Sequence, residues 1–108
     1  MLKQQEILNT ITQKLHLSAP SNYESAELIY KIIIDENKWT SFSATFIIEG
    51  KKTPPENFTK LQNELEPLLD KLHTIMKAES NSDWRKLVLK IDEHRKVTVD
   101  FNYSEQDI

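Results

Sequence analysis

The sequence predicts an α+β fold: a four-stranded or slightly larger antiparallel sheet, with an amino-terminal helix and one long central helix, in the order α-β-β-α-β-β. Three observations carry this reading. The last quarter of the chain alternates apolar and polar residues on either side of a charged turn. A second alternating pair of segments lies between residues 24 and 49, and two apolar stripes at helical spacing flank that pair. Side chains repeat every second residue on a strand and every 3.6 on a helix, so the two patterns assign the elements.

Taken in order, Leu2, Ile7, Leu8, Ile11 and Leu15 recur at helical spacing with polar residues between them, which predicts an amphipathic helix ending near His16. Residues 18–22, Ser-Ala-Pro-Ser-Asn, carry turn-forming side chains. From Glu24 to Asp35, Ala26, Leu28, Tyr30, Ile32 and Ile34 share one face, while Ile29 and Ile33 fall on the other. Residues 35–38 form a turn by composition, and a second strand runs from Trp39 to about Glu49 with Phe42, Ala44, Phe46 and Ile48 inward. Gly50 marks where residues 51–55 leave the sheet, at a point where positive φ is cheap for glycine.

Phe58, Leu61, Leu65, Leu68, Leu69, Leu72, Ile75 and Met76 trace the main helix. Pro67 removes one of its hydrogen bonds and predicts a kink or break there. The closing hairpin pairs Leu87, Leu89 and Ile91 with Val97, Val99 and Phe101. If Ile91 faces Val97, then Val88 faces Asp100 and Lys86 faces Asn102.

One domain spanning 1–108 is expected at this length. The composition, 38% hydrophobic and 29% charged, is that of an ordinary globular protein. Cysteine is absent, which excludes disulfides, thiolate metal sites and cysteine nucleophiles. The amino terminus lacks the apolar run of a secretory signal and no segment is long enough to cross a bilayer, so a cytoplasmic protein is expected. Asn57 and Asn102 open glycosylation-like triplets that carry no weight without secretion. Seventeen acidic residues against fourteen basic give a net charge of −3, which argues against a general nucleic-acid binder.

The residues offer no chemistry. His16, His73 and His94 stand in three different elements without a second ligand at metal spacing, so neither a metal site nor a cofactor is expected. His73 borders the apolar stripe and reads as the edge of the core. No serine or threonine sits in a glycine-flanked elbow, and a chain with one glycine has no multi-glycine phosphate loop. Catalytic residues are therefore not expected. The pairs Asp92-Glu93 and Asp35-Glu36 both lie in turns, where solvated charge is the ordinary reading.

The outward sheet face is less simple, because Ile29, Ile33, Trp39, Ile47, Trp84 and Val88 share its parity. Either the amino-terminal helix lies across this face, the arrangement that the pattern favours, or the face is a contact surface.

The order of elements resembles the YezG-like immunity proteins, small bacterial antitoxins that neutralise secreted polymorphic toxins. The landmarks are Pro20 and Tyr23 leading into the strand 28–34, then the long helix, then Trp84 introducing a hairpin that ends in Phe101-Asn-Tyr103. Tyr23 stands where tryptophan is common in the family, and the last turn has no glycine. The resemblance implies a protein that is not an enzyme and acts by binding a cognate toxin domain, often a nuclease of a contact-dependent system, as a monomer in a one-to-one complex. Direct nucleic-acid or membrane binding is not implied. Nuclease clefts are basic, so the acids Asp92, Glu93, Glu105 and Asp107 are the candidates for steering the toxin, with Trp39 and Tyr103 as anchors. An alternative from another class is a small acidic homodimeric secretion chaperone or adaptor using the outer apolar face. A third, nucleic-acid binding through Lys86, Lys90 and Lys96, is weakened by the carboxylates between those lysines.

Overall fold

A computed structural model describes residues 2–34 and 36–103. The elements are α1 (Leu2–Leu17), β1 (Ser25–Ile34), β2 (Lys38–Ile48), β3 (Lys51–Thr53), α2 (Phe58–Ser80), β4 (Lys86–Ile91) and β5 (Val97–Asn102). The strands form one antiparallel sheet in the order β3-β2-β1-β4-β5. The α+β class is as the sequence indicates, and the register Ile91↔Val97, Val88↔Asp100 and Lys86↔Asn102 matches the expected hairpin.

The fifth strand corrects the expected order to α-β-β-β-α-β-β. Residues 51–53 do not leave the sheet; they turn back and pair with Phe46, Ile47 and Ile48. The turn is made by Glu49 and Gly50, both at positive φ (52° and 76°). Two consecutive left-handed residues give the hairpin turn whose twist matches that of the flanking strands. Three residues are too few to show an alternating pattern, so the strand was not visible in the sequence.

Pro67 does not break the central helix, which runs unbroken from Phe58 to Ser80. The lost hydrogen bond is outweighed by the stripe on either side: Leu61, Leu65, Leu69 and Leu72 are buried in one core. Pro67 itself is exposed. Asn57 starts the helix, its side-chain Oδ1 accepting from the Lys60 N–H at 3.1 Å. Asn81 ends it in the left-handed conformation, φ 53°.

Both helices lie on the same side of the sheet. Ile7, Ile11 and Leu15 of α1 join α2 and the inward strand residues Ala26, Leu28, Tyr30, Ile32, Phe42, Ala44, Phe46, Leu87, Leu89 and Ile91 in a single cluster. The amino-terminal helix thus does not cover the outer face. Its apolar stripe is only wide enough for one seam and is used against α2 and the inner layer, with Lys14 Nζ on α1 also reaching Glu64 Oε1 on α2 at 3.0 Å.

Trp84 also departs from its expected side of the sheet. Its parity placed it outward, yet it is fully buried, its ring against Tyr30, His73 and Phe101. Strand alternation begins only at Lys86, so parity cannot be extended back to residue 84. His73, also buried, donates from Nε2 to Asp83 Oδ1 at 2.9 Å and meets the indole edge to face.

Candidate functional site

With both helices on one side, the outer face is left, among the described residues, to the strands alone, and the register maps it. Across the middle run Ser43, Ile29, Val88 and Asp100; one row towards the start of β2 are Ser41, Lys31, Lys86 and Asn102, and beyond them Trp39 beside Ile33. In the other direction come Thr45, Glu27, Lys90 and Thr98, then Lys52, Ile47 and Ser25. The alternation that fills the core therefore also sets Ile29 and Val88 side by side between a row carrying Lys31 and Lys86 and a row carrying Glu27 and Lys90, with Ile33 and Ile47 beyond them.

At the end of the face nearest the β4–β5 turn, the surface sinks into a concavity of about 440 Å³. Lys52, Lys90 and Lys96 line it together with Glu27, Ile47 and Asp92. Lys90 Nζ lies 3.9 Å from Glu27 Oε2, so one of these lysines is shared with an acid of the face. Trp39, 55% exposed, marks the opposite end.

The six residues singled out from the sequence are not brought to one place. Seven steps along β1 separate Ile33, the partner of Trp39, from Ala26, the partner of Ile91, about 23 Å at the rise of an extended strand. Asp92 and Glu93 stand at the Ile91 end. Tyr103 follows β5 at the other end, where its hydroxyl shares a hydrogen bond with Ser82 Oγ at 2.7 Å. Glu105 and Asp107 lie outside the described residues.

Asp92 builds the turn it occupies. One carboxylate oxygen accepts from the backbone N–H of Lys96 at 2.8 Å and of His94 at 2.9 Å. The Lys96 N–H, foremost, holds this carboxyl below the usual carboxylate range. Glu93 beside it is well exposed, with His94 Nε2 3.6 Å from its Oε1.

The sequence also left Arg95 unremarked. It takes the left-handed position, φ 64°, that glycine fills in many three-residue hairpin loops. Its side chain explains the choice. Nη2 donates to Tyr23 O at 2.7 Å and Asn22 Oδ1 at 3.0 Å, and the guanidinium lies 4.0 Å over the Tyr23 ring. Tyr23 in turn packs on Phe46 and shares a 2.7 Å hydrogen bond with His16 Nδ1. The hairpin tip is thereby fastened to the loop between α1 and β1. Lys31 and Lys52 were missed as well. Lys31 had the same parity as Ile29 and was readable; Lys52 became part of the face only through β3.

Among the described residues no group of three or more His, Asp or Glu is placed to hold a metal ion, and no helix is long and apolar enough to cross a membrane. Fold and surface together define a two-layer α+β protein that, among the described residues, presents one sheet face without a helix over it, with lysines set among its aliphatic residues. The profile of the YezG-like immunity proteins matches residues 5–107, and the chain belongs to that family. Comparison with individual curated proteins finds no significant match.

Proposed function

We propose that this protein is the immunity partner of a secreted bacterial toxin, a nuclease of a polymorphic or contact-dependent system, and neutralises it in the cytoplasm of the producing cell by direct one-to-one association. The observation that carries the reading is the family match across residues 5–107. An immunity protein needs no reactive centre; it needs a preorganised exterior with roughly 800 Å² to bury per partner. A rigid sheet with one face not used in its own core suits that requirement. Trp39 and Tyr103 are the anchors we assign, and Glu93, Glu105 and Asp107 the steering acids. Asp92 stands beside Glu93, although its carboxylate already serves the turn.

The test is rescue. Cells expressing the toxin domain encoded beside this chain are expected to survive when the chain is co-expressed, and the purified pair to elute as a one-to-one complex. Continued killing at full expression of the chain, with no complex, would refute an immunity role. Reversing Glu93, Glu105 and Asp107 together is expected to slow association and flatten its salt dependence.

A further inference from the structure

We infer that the uncovered sheet face is where the toxin docks, and that the toxin surface it receives is an acidic one with an aliphatic centre, outside the phosphate-binding cleft. The inference rests on the immunity reading above and goes beyond it in naming the surface and its chemistry. At the centre, Ile29 and Val88 are adjacent cross-strand neighbours, with Ile33 and Ile47 towards either end. None of the four is covered by a helix, and all remain partly accessible. Between and beside them stand Lys31, Lys52, Lys90 and Lys96 against the acids Glu27, Asp92 and Asp100. Lysines thus outnumber acids on this face, on a chain whose net charge is −3. Such segregation gives an orienting field towards a carboxylate-bearing surface.

Size agrees. Each strand residue occupies roughly 16 Å² of sheet, so the five strands present about 600 Å², most of one side of a standard interface. Trp39 at one end and the hairpin tip at the other supply the rim.

Charge also separates the possible occupants. A second copy meeting this face about a twofold axis would set a lysine-rich face against itself, which costs affinity. A nucleic acid would satisfy the lysines but not the centre, where aliphatic side chains give the bases no ring to stack on; Trp39 is the one aromatic residue of the face among the described residues and stands at its end. A basic nuclease cleft would be repelled by the body of the face, whereas an acidic surface beside that cleft would not. The hairpin-tip acids at the edge of the face are then placed to point towards the cleft.

The experiment measures binding of the purified toxin domain by the full chain, using K31E/K52E/K90E, the polar but β-branched pair I29T/V88T, and K3E/K71E on the helical side as a control. Circular dichroism and thermal melts confirm that each variant is folded. The first two are expected to weaken Kd by about tenfold or more and the control to leave it within about twofold. Added salt is expected to weaken the wild type more than K31E/K52E/K90E.

If the wild type binds and rescues but both face variants bind as tightly, docking lies elsewhere and the inference fails while the immunity reading stands. Failure of the wild type to bind or rescue removes both. Tight binding of a single-stranded twelve-nucleotide probe that K31E/K52E/K90E abolishes, or a homodimer that I29T/V88T dissociates, would assign the face to a nucleic acid or to a second copy and overturn the proposal.

Discussion

Arg95 shows how one side chain can compensate for its own backbone. A non-glycine residue at φ 64° costs about 1 kcal/mol or more relative to glycine, yet the guanidinium gains two hydrogen bonds to the Asn22–Tyr23 segment and a ring contact. Two substitutions separate these effects. Arg95→Ala loses the clamp and keeps the strained φ, so urea denaturation is expected to show a loss of about 1–3 kcal/mol. Arg95→Gly loses the clamp but relieves the backbone, and its loss is expected to be smaller by about 1 kcal/mol. Equal losses would mean that the left-handed conformation carries no cost here. The same residue accounts for the glycine missing from the last turn, which sequence reading could record but not explain, because the partner of Arg95 lies more than seventy positions away.

At the scale of an element, α2 raises the question of a proline tolerated in mid-helix. Pro67 cannot donate the N–H that would bond to Asn63 O, and its ring crowds that carbonyl. The helix persists because four leucines on its inner side are buried, each contributing about 1.5–3 kcal/mol relative to exposure, enough to override one interior proline at about 3 kcal/mol. Since Pro67 is exposed and removing it deletes no core contact, Pro67→Ala is expected to raise stability by about 1–3 kcal/mol, read as a higher urea midpoint. An unchanged midpoint would show that the local backbone is already adjusted to the ring. Local rules foresaw a break in this helix because they count the lost bond, whereas the leucine contacts that hold it together exist only once α2 is laid on the sheet. The three-residue β3 was hidden for a similar reason: its strand character comes from its neighbour β2.

For the molecule as a whole, charge is arranged so that acid works against it. Burial pushes the Asp83 carboxyl up, but the hydrogen bond from His73, with Arg85 and Lys77 nearby, outweighs that and leaves it below the usual range. Glu64 is lowered by its hydrogen bond from Lys14, and Asp92 by the backbone N–H of Lys96. A carboxyl whose pKa is lower in the folded chain binds fewer protons there than in the unfolded one. The stability it contributes is therefore complete above the unfolded value, about pH 4, and is lost as pH falls through the depressed folded value. Urea midpoints are expected to be flat near neutrality and to drop below about pH 4. Asp83→Asn is expected to shallow that drop; an identical acid limb in the variant would remove Asp83 from the account.

The sequence by itself determined the class of fold, the register of the closing hairpin, the inner faces of the strands and the family, because period and parity are local and survive without knowledge of contacts. It also supplied the apolar residues of the outer face. Which side the amino-terminal helix would cover, where Trp84 would point, and that lysines from β1, β3 and β4 would share one uncovered surface were decided only in three dimensions. Helix placement depends on which of two apolar faces buries the larger continuous area, and side chains distant along the chain become a single surface only when strand pairing sets them side by side.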